Sequence, residues 1–375
     1  MIDIQDKSQC CGCGACGLRC PQSCIEMRED IQGFLYPHVD EDRCVDCHLC
    51  EQVCSCMKTG NAPARQTYYA AINPDEATRL SSSSGGVFTL LAERIISQGG
   101  VVFGACFNDQ NEVIHDCVEI IADLELFRGS KYVQSVIGVS YRKVEDFLAQ
   151  GRLVLFSGTP CQIAGLKHYL LKPYSHLITV EVACHGVPSP AVWRQYLKMR
   201  SPKASCKKIS FRDKSTGWSN YSIKIESYIR PHDEDDYMLC FLKDYSLRPS
   251  CFSCSYKGGK SGADITMADF WGVQEAAPRL HDEKGVSLII VNSLAGQSLI
   301  DQVELNKHEV KPDIARAYNP ALYSSAFRPE RYDRFWKQFS RRPVWTIRRY
   351  GSLNFNSIIL KFKQVIKKHC IDMKH

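Results

Sequence analysis

The chain has 375 residues, of which 44% are hydrophobic and 23% are charged, the ordinary composition of a globular protein. This length predicts one large domain with room for a smaller module. Its longest apolar runs, such as residues 99–107, fall far short of the ~20 residues that span a bilayer. The first residues lack the basic and apolar segments of a signal peptide, so we expect a cytoplasmic protein.

Charge is distributed unevenly along the chain, whose net charge is +6. Residues 1–60 contain five Lys or Arg against ten Asp or Glu, whereas residues 341–375 contain nine Lys or Arg against one Asp. An acidic beginning and a basic end argue against a nucleic-acid surface that covers the whole protein. We therefore expect no nucleic-acid partner.

Cysteine is the residue type that most needs an explanation, because the chain contains 20 and 11 of them precede residue 57. Since nothing indicates export, this density predicts metal ligation rather than disulfides. Residues 10–21 contain the pattern C-x2-C-x2-C-x3-C-P, and residues 44–54 repeat it with Ser55 in place of the proline. In such runs three cysteines wrap one iron–sulfur cube and the fourth reaches a second cube.

This spacing predicts two [4Fe–4S] clusters in a ferredoxin-type module at residues 1–60. Their predicted ligands are Cys10, Cys13, Cys16 and Cys54 for cluster one, and Cys44, Cys47, Cys50 and Cys20 for cluster two. The alternative, structural zinc, uses cysteine pairs separated by a longer finger, which is not the pattern here. Cys11, Cys24 and Cys56 are left over and are interpreted as packing near the clusters.

Elements predicted beyond the module follow one another in a regular order. A connector at residues 61–80 contains a short strand, 67–72. Helices are then predicted at 86–98, 139–150, 163–171 and 190–199, and strands at 101–107, 153–157 and 177–183. This alternation predicts an α/β domain with a mostly parallel sheet at residues 81–325, preceded by the small α+β module. Residues 326–375 are predicted to form a basic helical extension.

A second set of cysteines is scattered over three predicted loops. Cys161 and Cys184 follow consecutive strands, and binding sites of such sheets lie beyond the carboxyl ends of the strands. Cys251 and Cys254 form a later C-x2-C pair. Together the four predict a third [4Fe–4S] cluster, although a C-x2-C pair is equally typical of a redox dithiol or half a zinc site.

Two polar loops are candidates for phosphate binding. The run Ser82, Ser83, Ser84, Gly85, Gly86, Val87 opens a predicted helix, whose N–H groups and positive dipole end suit a phosphate; serine runs are also typical of helix caps and flexible linkers. The second loop, residues 129–135, offers Ser130, Lys131 and Tyr132, and its alternative is a solvated turn. The pattern G-x-G-x-x-G occurs at residues 12–17, but there it lies inside the first cysteine run and not between a predicted strand and helix, which argues against a Rossmann nicotinamide site.

Six motifs stand in an order that resembles a known family. They are SSGGVF at 83–88, GSKYVQS at 129–135, GTPCQ at 158–162, CHG at 184–186, the C-x2-C pair, and ADITMADFWG at 263–272. Over residues 65–325 the chain resembles the beta subunit family of coenzyme F-420 hydrogenase and dehydrogenase, which includes 7-hydroxymethyl chlorophyll a reductase.

The resemblance implies an FAD site formed in part by the two polar loops and by Thr159 of the GTPCQ motif, with an iron–sulfur cluster close to the flavin. It also favours Cys161, Cys184, Cys251 and Cys254 as ligands of that cluster. His185 and Asp269 are the expected catalytic residues. The alternatives are a structural histidine and a carboxylate used for capping or ion pairing.

The predicted function is that of an iron–sulfur flavoprotein oxidoreductase, because flavin exchanges both a hydride and single electrons. It would pass electrons between [4Fe–4S] clusters and FAD, in ferredoxin-linked reduction of a small organic substrate or in oxidation of a reduced deazaflavin coenzyme. The alternatives are an electron-transfer subunit of a larger hydrogenase or dehydrogenase complex and a non-catalytic relay. The integral module favours the first, with ferredoxin or another redox protein as partner.

The end of the chain carries apolar residues at near-helical spacing with lysines between them, over residues 358–368. This pattern is typical of a helix that lies on an anionic membrane or on an acidic partner. The alternative is a helix packed on its own domain.

Overall fold

A computed structural model describes residues 1–57, 60–201 and 208–352. The first 57 residues contain α1 (Ala15–Arg19), an antiparallel hairpin of β1 (Ile25–Glu29) and β2 (Leu35–Val39), and α2 (Leu49–Gln52). Each helix follows a residue with left-handed backbone, Gly14 at φ 75° and His48 at φ 58°. In each run this left-handed residue lies two positions before the third cysteine, so the two cysteine runs have the same local fold.

The larger part of the chain alternates strands and helices. Its first half contains β3 (Thr67–Ile72), α3 (Glu76–Ser81), α4 (Val87–Ser97), β4 (Val101–Phe107), β5 (Val113–Val118), α5 (Ser140–Ala149), β6 (Val154–Gly158), α6 (Pro160–Leu170), β7 (Leu177–Val182) and α7 (Pro190–Arg200). Its second half contains β8 (Ile209–Asp213), β9 (Ser222–Ile225), β10 (Tyr228–Pro231), α8 (Asp236–Leu242), β11 (Ile265–Asp269), α9 (Val273–Ala276), β12 (Ser287–Val291), α10 (Leu294–Asp301), β13 (Asn306–Glu309), α11 (Pro312–Tyr318), α12 (Tyr332–Phe339) and α13 (Pro343–Gly351).

Eight strands form the main sheet in the order β13-β3-β12-β11-β7-β6-β4-β5. The four central strands, β11, β7, β6 and β4, are parallel, and every other neighbouring pair is antiparallel. The α/β class is therefore confirmed, and the parallel order is confined to the centre of a mixed sheet. Strand β3, predicted within the connector, pairs with β12 and β13 and belongs to this sheet.

Helix α6 differs from its predicted boundary for a local reason. It begins at Pro160, three residues before the predicted start, because Thr159 and Gln162 form a capping box and proline occupies the first turn. Its interior is buried, with Ile163 and Leu166 fully inaccessible. The cap fixes the backbone that carries Cys161 at the carboxyl end of β6.

A second, three-stranded sheet of β8, β9 and β10 shares an aromatic core with the C-terminal helices. Phe335 and Ile347, from α12 and α13, are fully buried there, beside Tyr237 of α8. The described part of the C-terminal segment therefore packs on its own domain. The predicted basic helix at 358–368 lies outside the described residues. In the described ranges no helix has both the length and the apolarity to cross a membrane.

Candidate functional site

The carboxyl edge of the main sheet brings distant parts of the chain together. Strands β6, β7 and β11 are parallel and end at Gly158, Val182 and Asp269. Cys161 and Cys184 follow the first two of these ends. Ser287 starts the antiparallel strand β12 directly opposite Asp269, so it lies at the same edge. This is the edge at which open α/β sheets bind ligands.

The serine-rich loop is attached to this edge by backbone contacts. The Gly85 N–H donates to Ser287 Oγ at 3.0 Å, and the Gly85 carbonyl accepts from the Asn73 N–H at 2.8 Å. A Cβ atom on Gly85 would lie 2.5 Å from the carbonyl oxygen of Ala71 in β3. Only glycine therefore lets the loop approach the strands this closely. Gly86, at φ 77°, then caps the start of α4.

The four scattered cysteines predicted as ligands of a third cluster line one cavity of about 710 Å³. Its wall is formed by Cys161, Cys184, Cys251 and Cys254 together with Cys11, Cys54 and Cys56 of the first module. The Val187 N–H donates to Cys251 Sγ at 3.4 Å. Burial raises the pKa of Cys184 to about 12 and that of Cys251 to about 11. A cavity this rich in thiols has the donor chemistry of an iron–sulfur site.

The predicted ligands of cluster two also share one pocket. It is lined by Cys20, Cys44, Cys47 and Cys50, and by Cys24, which the spacing pattern left without a role. Cys24 Sγ lies 3.3 Å from Cys20 Sγ, and the Ile2 N–H donates to Cys50 Sγ at 3.3 Å. Hydrogen bonds of this kind to ligand sulfurs tune an iron–sulfur centre.

The predicted ligands of cluster one lie close enough to influence one another's ionisation. Burial, and then the charges of Cys10 and Cys54, raise the pKa of Cys16 well above its usual range. Cys13 lies against α6, where a Cβ atom on Gly165 would come within 3.0 Å of Cys13 Sγ. No three His, Cys, Asp or Glu side chains in the described ranges converge as the ligands of a single metal ion.

The two polar loops predicted from the sequence touch each other. The Ser130 N–H donates to Ser83 Oγ at 2.5 Å, which joins the loop at 129–135 to the serine-rich loop. The Ser84 hydroxyl donates to the carbonyl of Val286 at 2.8 Å, and the Ser82 hydroxyl to that of Thr78 at 2.7 Å. Val87 is fully buried as the first residue of α4.

Two lysines lie beside these loops in a partly desolvated environment. The Lys131 ammonium donates to the carbonyls of Leu126 and Arg128 at 2.9 and 3.2 Å, and burial lowers the pKa of Lys131 to about 7. Lys214 donates to the Ser84 carbonyl at 2.7 Å, and burial lowers its pKa to about 7 as well. An anion beside them would favour their charged forms. The sequence did not point to Lys214, which follows β8 and is distant along the chain.

Asp269, predicted as catalytic, is part of a buried ion pair. It accepts from Arg212 Nη1 at 2.8 Å and from Trp218 Nε1 at 3.4 Å. The guanidinium is almost fully buried, lies 3.9 Å from the ring centre of Tyr221, and also donates to the Tyr132 hydroxyl at 3.3 Å. Arg212 therefore connects Asp269 with Tyr132 of the second polar loop.

His185 and Thr159 have well-defined partners. His185 lines the cysteine cavity, and its Nε2 lies 2.5 Å from Asp244 Oδ1. Thr159 is occupied in the capping box of α6, and its Oγ1 lies 3.2 Å from Cys161 Sγ. Each of the two side chains therefore lies beside the proposed third cluster site.

Comparison with known proteins agrees with the motifs. Residues 151–314 match the model of a family described as the C terminus of the beta subunit of coenzyme F420 hydrogenase/dehydrogenase. We call residues 151–314 the beta-subunit region because of this similarity. The match confirms the resemblance suggested by the sequence motifs, and the matched segment contains Cys161, Cys184, Cys251, Cys254 and Asp269.

Other comparisons add little to this relationship. No curated protein matches the chain. Among solved structures, a chain of a xenon derivative of the F420-reducing [NiFe] hydrogenase complex from Methanosarcina barkeri is 17% identical, with a TM-score of 0.48. The similarity covers 70% of this chain and 90% of that one.

Proposed function

We propose that the protein is an iron–sulfur flavoprotein oxidoreductase that uses three [4Fe–4S] clusters and one FAD. The observation that carries the proposal is the cavity between the first module and the beta-subunit region. It combines Cys54, a predicted ligand of cluster one, with all four predicted ligands of the third cluster. Redox groups held by these two sets would be neighbours, which is the arrangement that electron transfer between them requires.

The proposed FAD site is the pair of polar loops at the same sheet edge. The contact between Ser130 and Ser83 joins the loops, and Lys131 and Lys214 provide cationic groups beside them. The pyrophosphate of FAD is a dianion, so it would restore the charge that burial makes unfavourable on both lysines. Bound flavin would supply the exchange of a hydride for single electrons.

His185 is the proposed proton donor or acceptor of the site. Asp244, 2.5 Å away, fixes the orientation of the imidazole at the wall of the cysteine cavity. Asp269 is proposed to act by positioning, because it is occupied by Arg212 and holds that guanidinium against Tyr132. The two residues predicted as catalytic therefore receive different roles.

The proposed reaction is reduction of a small organic substrate with electrons from ferredoxin or a similar redox protein. The second candidate is the electron-transfer subunit of a hydrogenase or dehydrogenase complex that oxidises a reduced deazaflavin. It is favoured by the match of residues 151–314 to a family of such subunits. Reduction of an organic substrate is favoured by the module at residues 1–57, since the chain would then contain its own clusters for receiving electrons from ferredoxin.

The test begins with protein purified without oxygen. Its cofactor is extracted in acid and compared with FAD and FMN standards, and the flavin absorbance is followed after addition of reduced ferredoxin, reduced deazaflavin or NADH. We expect one FAD per chain, rapid bleaching with one of the first two donors, and slow bleaching with NADH. Protein that is colourless after anaerobic purification contradicts the proposal, and rapid bleaching by NADH contradicts the choice of donor.

A further inference from the structure

Arg248 is a buried cation between the first module and the beta-subunit region. Its side chain is 1% exposed, and it precedes the C-x2-C pair by three residues. Its backbone N–H donates to the Val187 carbonyl at 3.1 Å, and its own carbonyl accepts from the Cys251 N–H at 2.9 Å. The backbone of Arg248 is thus fixed to the wall of the cysteine cavity.

The guanidinium of Arg248 crosses to the first module and is held there by several contacts. Nε donates to the Cys10 carbonyl at 2.7 Å, Nη2 donates to the Leu35 carbonyl at 2.9 Å, and Nη1 donates to Gln134 Oε1 at 3.0 Å. Its central carbon lies 4.3 Å from the ring centre of Tyr36. These contacts therefore fix the position of the positive charge of Arg248.

The same guanidinium approaches a predicted ligand sulfur. Nη2 lies 3.7 Å from Cys10 Sγ, within hydrogen-bonding distance for sulfur. A Cβ atom on Gly12 would lie 2.6 Å from Nη1, so the glycine between Cys10 and Cys13 is what leaves room for the guanidinium. The charge therefore lies next to the loop predicted to wrap cluster one.

No carboxylate forms an ion pair with Arg248 in the described ranges, in contrast to the buried Arg79 and Arg212, which pair with Asp282 and Asp269. A buried cation without a counter-charge is unfavourable by several kcal/mol. The acceptors that surround Arg248 are carbonyl and amide oxygens and the sulfur of Cys10. The counter-charge that suits this position is a cluster with cysteine thiolate ligands, which carries net negative charge.

We propose that Arg248 raises the reduction potential of cluster one, the cluster assigned to Cys10, Cys13, Cys16 and Cys54. Reduction adds one electron and hence one negative charge, and a fixed cation beside the ligand sulfur stabilises that reduced form. Among the described residues, no arginine or lysine lines the pocket of cluster two, which is assigned to Cys44, Cys47, Cys50 and Cys20. The inference rests on the proposed function, because it requires that cluster one is present.

The test is an anaerobic redox titration with dithionite, monitored by electron paramagnetic resonance of the full chain. The signal of cluster one is assigned as the one missing from Cys16→Ala. In Arg248→Gln we expect a potential lower by at least the ~59 mV that corresponds to a tenfold change in a one-electron equilibrium. Arg248→Lys keeps the charge, so its shift should be in the same direction and smaller. The potential of cluster two should not change in either variant.

The matched control is Arg194→Gln. Arg194 also connects the two regions, through Glu29 of β1 and Glu112, but its ion pairs involve no cysteine, so this variant should keep the wild-type potentials. A wild-type potential of cluster one in Arg248→Gln overturns the proposal. Loss of cluster one from both Arg248 variants also overturns it, since the role would then be structural. Absence of any cluster from the wild-type chain would instead contradict the proposed function.

Discussion

The two cysteine-rich regions of this protein assemble their thiols in different ways. In residues 1–57, two short runs that fold alike supply eight predicted ligands, and the helices around them have four and five residues. In the beta-subunit region, Cys161 lies in the first turn of α6, Cys184 follows β7, and Cys251 and Cys254 follow α8. The main sheet brings these four cysteines to one cavity. The first arrangement is local in sequence and the second depends on the sheet.

The two regions also differ in the interactions that stabilise their folds. The core of the first module consists largely of the cysteines themselves, with Ile2 and Ile25, so it depends on the groups that the thiols bind. The sheet domain has an extensive apolar core of its own, which contains Val102, Leu155 and Ile289 and no residue of the first module. We therefore expect loss of a cluster to lower the stability of the module and to affect the sheet domain only locally.

The largest effect is expected from Cys251→Ala. It removes one of the four thiols at the cavity, so the iron content should fall from about twelve to about eight atoms per chain, the loss of one [4Fe–4S] cluster. The signals of the two clusters in the module should remain. Iron analysis and electron paramagnetic resonance check this, with Cys240→Ala, a buried cysteine of α8 outside the cavity, as control. Loss of all cluster signals would contradict the division of the cysteines.

The next effect concerns the flavin site. Lys131→Met keeps the aliphatic part of the side chain but removes the charge, so flavin binding should weaken by the ~1.5–3 kcal/mol of a charged hydrogen bond. This corresponds to about one to two orders of magnitude in affinity. Equilibrium titration of the flavin-free protein with FAD measures it. Lys143→Met, which removes an exposed ion pair with Asp116, should retain the wild-type affinity. Equal affinities in the two variants would exclude Lys131 from the site.

A smaller effect is expected from His115 in β5, which is buried and lies parallel to the ring of Phe156. Burial lowers the pKa of His115 to about 4. The unfolded chain therefore binds this proton at higher pH than the folded one, and stability is lost as the pH falls from about 6.5 to about 4. At pH 5 the loss should be roughly 2 kcal/mol.

Urea unfolding at pH 7 and pH 5 measures this dependence. His115→Phe retains an aromatic ring but has no titrating group. The loss of unfolding free energy between pH 7 and pH 5 should therefore be smaller in this variant than in the wild type by roughly 2 kcal/mol. An unchanged difference would show that the histidine does not contribute to the acid sensitivity of the sheet domain.

The smallest effect is expected from Thr159→Ala. Removing the side chain that caps α6 should lower the free energy of unfolding by about 1 kcal/mol. If Thr159 acts only as a cap, the affinity for FAD should not change. An unchanged affinity would exclude Thr159 from the flavin site. A loss of affinity with unchanged stability would contradict the capping role. Urea unfolding and FAD titration distinguish the two.

Much of the fold could be predicted from the sequence because hydrophobic periodicity is a local signal. Strands β3 and β4 begin and end where the pattern placed them, at 67–72 and 101–107. The antiparallel edges were not predicted, because the direction of a strand depends on which neighbour it pairs with. The start of α6 was missed because the capping box, rather than the apolar pattern, determines it.

The candidate site shows the same limit. The spacing of Cys10 to Cys20 is a local pattern, so the sequence alone predicts ligands for the first module, and this stays a prediction. Arg248 and Lys214 could not, because their positions beside Cys10 and Ser84 result from packing between distant segments. Cys11 and Cys56 gave no spacing signal and nevertheless line the cavity.

The central claim, that the two regions together hold three clusters, is tested most directly by iron and acid-labile sulfide analysis of the anaerobically purified chain. Three sets of four cysteines that share no ligand predict about twelve iron atoms and about twelve sulfides per chain. About eight of each would remove the cluster at Cys161, Cys184, Cys251 and Cys254. Stoichiometric zinc in place of iron would contradict the account as a whole.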